Sequence, residues 1–339
     1  MTTGGDARGR GVDAHEGGVD EPVIGVTRRV PGALNVPGAR VRTLGEGAPD
    51  RTALLGFARG KSVLVTMFAD RVDAELLDAA GPALRGVCNF AVGYDNIDLA
   101  ACRTRGVAVS NTPDAVTEGT ADAAWLLLLA TARRLIAADR HARSGAWARG
   151  GPLGMSDFLG QDLTGRTLLI VGAGRIGFAV AQRALAWGMR ILYVARSAHL
   201  EFELAPLAGR RVTLEEGLAE ADAVSVHTPL TEQTRHLIGA RELGLMKPTA
   251  ILVNTSRGPV VDEAALAEAL AAGRIWGAGL DVFEREPEVH PGLVGLDSVT
   301  MMPHIGSAER RWRERMTEMV AANAARMLAG EAPVNAVLG

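Results

Sequence analysis

Three short segments in the second half of the chain carry residue types suited to proton and hydride chemistry. Thr255-Ser256-Arg257-Gly258 follows the apolar run Ala250–Asn254, and Phe283-Glu284-Arg285-Glu286-Pro287 follows Gly279-Leu280-Asp281-Val282. Pro303-His304-Ile305-Gly306-Ser307 closes a run that begins at Val299. Together they set an arginine, a carboxylate and a histidine at the carboxyl ends of strands, where open α/β sheets bind ligands. A guanidinium clamps a carboxylate through paired charge-assisted bonds. An imidazole exchanges a proton with a carbonyl oxygen, and a neighbouring carboxylate orients the ring and stabilises its charged form. Such a set suits hydride transfer to a 2-keto acid. No single member decides it, because 34 of the 36 basic residues are arginine and seven histidines are present. His227 and His236 compete with His304, but neither has a carboxylate segment placed to orient it.

A hydride source needs its own site. Gly172-Ala173-Gly174-Arg175-Ile176-Gly177 follows the strand candidate Thr167–Val171 and opens a helical stretch from Arg175 to about Trp187. In a strand–turn–helix of this kind the first glycine permits the tight turn. The second lets the backbone approach a pyrophosphate, and the third allows close helix–strand packing. Free amides at the helix N-terminus then meet the diphosphate. His227-Thr228-Pro229 and Thr255-Ser256 end later strands and read as lining of the same cleft. The end of the second strand discriminates between dinucleotides, because an acidic residue there holds the ribose 2′-hydroxyl of NAD. Here Arg190–Val194 runs into Ala195-Arg196-Ser197, with no carboxylate before Glu201. Arg196 offers a planar donor fork for a 2′-phosphate and Ser197 a hydroxyl, which favours NADPH and leaves NADH possible.

The elements that must position these groups alternate between strand and helix. Val23–Thr27, Ser62–Thr66, Gly86–Phe90 and Val107–Asn111 are strand candidates, separated by helix-like stretches such as Asp73–Ala80 and Asp98–Arg105. Thr117–Arg143 reads as one long helix. A second series follows: Thr167–Val171, Arg190–Val194, Ala223–His227, Ala250–Asn254, Trp276–Val282 and Val299–Met302, then a helical Ser307–Gly330. This rhythm predicts parallel strands with crossover helices, the second series forming a complete six-stranded, doubly wound sheet. Residues 1–20, rich in glycine and charge without an apolar period, read as a disordered extension.

Composition narrows the function classes. At 339 residues, two domains are expected. A net charge of −3 provides no basic excess for general nucleic-acid binding. The longest apolar run, Ala123–Ala130, is far short of the roughly 20 residues that span a bilayer. Cys88 and Cys102 cannot make a disulfide framework or a zinc site and read as buried fillers, so no metal is expected. The absence of a signal core points to a cytoplasmic protein.

The motifs, taken in order, resemble the D-2-hydroxyacid dehydrogenase family, and within it the glyoxylate/hydroxypyruvate reductase branch. The carriers are Asn89-Phe-Ala-Val-Gly-Tyr-Asp-Asn-Ile-Asp98, Asn111-Thr-Pro113, Gly172–Gly177, Thr255–Gly258, Gly279–Phe283 with Glu286-Pro287, and Pro303–Ser307. The resemblance covers about residues 22 to 335. It implies Arg257, Glu286 and His304 as the catalytic trio, Glu286 matching the family position better than Glu284. It also implies that backbone amides around Val92 and Gly93 receive the substrate carboxylate opposite Arg257, and that Asp281 lies near the nicotinamide. The implied fold has two doubly wound parallel-sheet domains, with a Rossmann cofactor domain (118–305) inserted in a flavodoxin-like substrate domain (21–117 and 306–339). A homodimer is implied, built partly on the long helix after Thr117, with Trp147–Phe158 reaching toward the partner's site.

The leading expectation is an NADPH-preferring reductase of glyoxylate and hydroxypyruvate that yields D-2-hydroxy acids, His304 donating the proton. Alternatives are a dehydrogenase for a bulkier D-2-hydroxy acid, to which the unusual Met67-Phe68-Ala69 and the glycine-rich 147–158 segment are relevant, or a dinucleotide-sensing corepressor. A phosphite dehydrogenase would carry a lysine where Val92 stands.

Overall fold

The computed structural model describes residues 21–337, so the 1–20 extension lies outside the described residues. Two all-parallel sheets organise the chain. The first contains β1 (Val23–Val26), β2 (Arg40–Thr43), β3 (Val63–Thr66), β4 (Gly86–Asn89) and β5 (Ala108–Ser110) in the order β2-β1-β3-β4-β5. The second contains β6 (Thr167–Val171), β7 (Arg190–Val194), β8 (Arg210–Arg211), β9 (Ala223–Val226), β10 (Ile251–Asn254), β11 (Gly277–Leu280) and β12 (Val299–Met301). Their order is β12-β11-β10-β9-β6-β7-β8, so the winding direction reverses between β6 and β9. Both orders are doubly wound, and ligands of such sheets bind where the strand order reverses.

The central strands are near-continuous apolar runs, β3, β6, β9 and β10 being buried throughout. Strands covered by helices on both faces need that composition. The helix Arg310–Leu328 returns to the first sheet, packing Met316, Val320, Ala324 and Met327 against Ile24, Val63 and Cys88. The helix Thr117–Ala132, which follows the first sheet in the chain, packs on the second, and its Trp125 donates its indole N–H to Val180 O at 3.0 Å. Both cysteines are buried and free. Among the described residues no helix is long and apolar enough to cross a membrane.

Three expectations need correction. The single helix over Thr117–Arg143 is two, Thr117–Ala132 and Leu135–Arg143, because Arg134 adopts a left-handed φ of 51°. There the chain leaves the core: Ala132 O accepts the Gln161 amide, and the Arg134 guanidinium lies 4.5 Å over the Trp276 ring. The second sheet has seven strands rather than six, and the first has five rather than four. The two missed strands are the edge segments β2 (RVRT) and β8 (Arg210–Arg211), exposed at every residue. Exposed edges gain nothing from apolar side chains and so carry no hydrophobic signal. Elsewhere Thr167–Val171 and Arg190–Val194 stand as expected, and the other expected strands shorten by one to three residues, as with Trp276–Val282, observed as Gly277–Leu280.

Candidate active site

A cleft of about 720 Å³ opens at the carboxyl ends of both sheets. On one side it is lined by Met67, Phe68, Val92 and Gly93, and on the other by Gly174, Arg175, Ile176, Thr228, Pro229, Thr255, Ser256, Arg257, Asp281 and His304. Ile176 packs against the cores of both sheets at the cleft floor.

The loop after β10 is built to present Arg257. Buried Asn254 accepts from Ser256 N (3.0 Å) and Ser256 Oγ (2.8 Å) and donates to Arg257 O (3.0 Å). Gly258 then passes so close to the next loop that a Cβ would lie 1.9 Å from the Phe283 carbonyl carbon. From this base Arg257 reaches across the cleft, its Nε donating to Asp95 Oδ1 at 2.9 Å and its Nη1 to Ser256 O at 2.8 Å. Its Nη2 lies against Gly93, where a Cβ would come within 1.6 Å. Facing it, the Val92 and Gly93 carbonyls accept from Asn111 Nδ2 and Asn89 Nδ2, both at 2.7 Å. Among the described residues the Val92 and Gly93 amides have no acceptor. Unpaired amides opposite a guanidinium make a cradle for a carboxylate.

The imidazole is held from three sides. His304 Nδ1 lies 2.8 Å from Glu286 Oε2, with side-chain exposures of 22% and 26%. Glu286 is fixed in turn by its other oxygen, which accepts from Phe283 N at 3.0 Å. Phe68 stacks on the His304 ring with centroids 3.9 Å apart and planes 29° apart. The His304 backbone sits at φ 53°, in the left-handed region, and its amide donates to Asp281 O at 2.7 Å. Asp281, buried to 2% exposure, accepts from Ile305 N and Gly306 N at 2.8 Å each. Burial raises its pKa, against the opposing pull of those two amides and of His304.

The residues of the glycine turn fit a dinucleotide. Gly172 has φ 106°, and a Cβ there would meet the His227 carbonyl carbon at 2.8 Å. At Gly177 a Cβ would lie 2.3 Å from Gly172 O, whereas at Gly174 it would meet nothing within 4 Å. So the first and third glycines serve turn and packing, and the second faces open space where a diphosphate could approach. The helix Arg175–Ala184 begins there without a side-chain cap, leaving amides free. Thr228 Oγ1 and Thr255 Oγ1 are buried without partners, consistent with a missing polar ligand. Arg196 and Ser197 are exposed at the end of β7 and are not among the residues that line the cleft.

The other histidines separate by position. His236 has carboxylates after all, with Nε2 3.2 Å from Glu284 Oε1 and Nδ1 3.8 Å from Asp262 Oδ2, which corrects the expectation that it lacked them. The fold brings Glu284 and Asp262 to it from distant loops, but the cluster does not line the cleft. His227 does line it; its Nε2 meets Ser225 Oγ at 2.8 Å, and burial pushes its pKa down to about 3. Sequence reasoning missed the Phe68 stack and the Asp95 partner of Arg257. Asp95 lies inside the Asn89–Asp98 motif, but nothing local in the sequence ties it to Arg257. Phe68 offered only the signal of an aromatic residue at a strand end.

Comparison with known proteins bears on this geometry. Residues 125–306 match the family model described as D-isomer specific 2-hydroxyacid dehydrogenase, NAD binding domain. A glyoxylate reductase of Thermococcus onnurineus is 53% identical over 287 residues, 84% of each chain. One from Pyrococcus furiosus is 49% identical over 284 residues, again 84% of each. Among solved structures, the NADPH-dependent glyoxylate/hydroxypyruvate reductase of Sinorhizobium meliloti in complex with NADP and malonate superimposes with a TM-score of 0.82. It is 34% identical, with 94% of this chain and 97% of that one covered. The two parallel sheets, the glycine turn and the cleft between them thus belong to a known lineage: this chain is a member of the D-isomer specific 2-hydroxyacid dehydrogenase family, an NAD(P)-dependent oxidoreductase.

Proposed function

We propose that the protein is an NADPH-preferring reductase of glyoxylate and hydroxypyruvate that releases D-2-hydroxy acids. The observation that carries this reading is the convergence on one cleft of the His304–Glu286 pair (2.8 Å), the Arg257 guanidinium and the unpaired Val92 and Gly93 amides. A bound nicotinamide dinucleotide supplies the hydride. Arg257 holds one face of the substrate carboxylate and the Val92–Gly93 amides the other, which fixes the keto carbon within the cleft. His304 Nε2, the ring nitrogen not occupied by Glu286, gives its proton to the carbonyl oxygen as charge develops there. Glu286 orients the ring and balances its charge. Phe68 covers the imidazole and narrows the space beside it, which supports a substrate with a hydrogen or hydroxymethyl side chain.

The cofactor preference is supported by what surrounds Arg196. The nearest carboxylates after β7, Glu201 and Glu203, lie on the following helix and turn toward His199 (3.1 Å) and the Tyr193 hydroxyl (2.5 Å), and none stands at the strand end itself. The glyoxylate reductase names of the relatives support the substrate class. We read residues 118–305 as the cofactor unit and 21–117 with 306–339 as the substrate unit, supported by the return of the helix Arg310–Leu328 to the first sheet. A homodimer is supported by exposed apolar side chains gathered on one stretch, Leu126, Leu135, Ile136, Trp147, Met155 and Leu159. Light scattering during size exclusion tests the dimer. The function is tested by absorbance at 340 nm, crossing NADPH and NADH with glyoxylate, hydroxypyruvate and pyruvate. Fast NADPH oxidation with the first two is expected. Better turnover with NADH overturns the cofactor choice, and silence with every pair overturns the substrate class.

A further inference from the structure

β8 is only two residues long, yet it brings a second guanidinium to the tip of β7. Pairing aligns Leu192 with Arg210 and Tyr193 with Arg211. From there Arg211 folds over the strand end, its Nε donating to Ala195 O at 3.1 Å and its Nη2 to Arg196 O at 2.8 Å. These are the carbonyls of the turn that carries Arg196 and Ser197. Nη1 has no partner among the described residues, and no carboxylate there lies within 4.0 Å of the Arg211 or Arg196 guanidinium. The neighbouring charged side chains each have another partner. Arg210 is bound by both oxygens of Glu220 at 2.7 and 2.8 Å, Glu201 by His199, and Glu203 by Tyr193. Two exposed, unneutralised guanidinium groups thus share one strand end, one of them braced against the backbone of the other.

We infer that Arg211 is the second cation of an anion site that takes the 2′-phosphate of the adenosine ribose, acting together with Arg196 and Ser197. The inference rests on the NADPH reading above and names a residue that the glycine motif does not point to, 15 positions beyond Arg196 and on an edge strand. Physically, a dianionic phosphate has oxygens enough for more than one donor fork, and arginine supplies forks of the matching geometry. Bracing matters as well. With two of its donors fixed on carbonyls, Arg211 offers Nη1 at little further cost in side-chain entropy. Arg196 carries no such brace and closes on the phosphate only when it is present.

The test is calorimetric titration of the full chain with adenosine 2′,5′-bisphosphate and with 5′-AMP, which differ only in the 2′-phosphate. The proteins compared are the unaltered enzyme, Arg211→Ala, Arg211→Gln and Arg196→Ala. Losing one charge-assisted contact at an exposed site corresponds to roughly a tenfold change in affinity. The expected result is therefore about tenfold weaker bisphosphate binding in both Arg211 variants, with 5′-AMP binding unchanged. The bisphosphate affinity of the unaltered enzyme should also fall more steeply with added salt than that of Arg211→Ala. If both nucleotides weaken equally, Arg211 only braces the turn and the inference fails. Unchanged bisphosphate binding in Arg211→Ala, with a loss in Arg196→Ala, overturns it while leaving the NADPH reading intact. If the unaltered enzyme does not distinguish the two nucleotides, that reading fails and takes this one with it.

Discussion

Replacing Gly93 by alanine tests the substrate cradle with one methyl group. The new Cβ would stand 1.6 Å from Arg257 Nη2 and 2.7 Å from its Cζ. Ordinary contact begins near 3.5–4.0 Å, so the guanidinium must retreat by about 2 Å. It cannot do so and keep both its 2.9 Å bond to Asp95 and its 2.8 Å bond to Ser256 O. The fold itself should hardly notice. What yields is the far end of a flexible side chain, and the Arg257–Asp95 pair is 22% and 36% exposed. Pairs of that kind contribute under about 1 kcal/mol, which moves Tm by no more than about 4 °C.

Catalysis should respond very differently. Misplacement of a positioning group by about 1 Å can cost on the order of 10²-fold, equivalent to about 2.7 kcal/mol of transition-state stabilisation. The expected outcome for Gly93→Ala is a fall of at least about 10²-fold in kcat/KM for glyoxylate. Cofactor binding, followed by nicotinamide fluorescence, should stay as in the unaltered enzyme. The assay is NADPH oxidation at 340 nm beside a thermal melt. Unaltered kcat/KM would refute the reasoning, since the guanidinium would then not need its present position. A melt lowered as far as that of a core cavity variant would refute it from the other side, making Gly93 a packing residue.

Other perturbations probe other parts. Glu286→Gln keeps the hydrogen-bonding shape beside His304 Nδ1 but removes the charge; keto-acid reduction should slow by about 10²-fold or more. A rate of keto-acid reduction matching that of the unaltered enzyme would disprove the role given to Glu286. His227 stays neutral in the fold down to about pH 3, whereas in the unfolded chain it protonates near pH 6.5. Below that value the unfolded state binds the extra proton, so stability falls as pH drops. His227→Asn should therefore lose less Tm between pH 7 and pH 5 than the unaltered protein, as scanning calorimetry can read. Burial pushes the thiols of Cys88 and Cys102 up to about 12 and about 11. Both are then protonated at pH 8 and should resist a disulfide-exchange reagent until denaturant is added; fast labelling of the native protein would contradict their burial.

The parts of the fold legible in the sequence are those where burial dictates composition. β6, β9 and β10 are buried at every residue, and their apolar runs stand out unaided. β2 and β8 do not, because an exposed edge strand is specified by its neighbour's backbone rather than by its own side chains. The break at Arg134 escaped for a related reason. An apolar stretch followed by an amphipathic one keeps its helical period on both sides of a single left-handed residue. In the site, Arg257 and His304 are legible as residue types at strand ends, whereas the choice of Glu286 over Glu284 comes only with the family resemblance. Their partners Asp95 and Phe68 lie 162 and 236 positions away from them, across the cleft, where local spacing carries no information.

Those strand ends also explain how the His304 imidazole is held still. A left-handed backbone at a residue with a Cβ costs about 1–3 kcal/mol and persists only where its surroundings over-determine it. At His304 they do. Asp281 takes the His304 amide on its carbonyl and the next two amides on its carboxylate, so one buried residue fixes three successive peptide groups. Gly306 completes the turn, since a Cβ there would press to 2.8 Å from Asp281 Oδ2. Glu286 and Phe68 then need only set the rotation of the ring. Asp281 is thus a positioning residue for His304 as well as part of the cleft wall. Asp281→Asn, which replaces one accepting oxygen by a donor facing an amide, should loosen the turn and lower kcat while leaving 5′-AMP affinity unchanged. Unaltered kcat in that variant would mean that the backbone bond at Asp281 O is sufficient by itself to hold the imidazole.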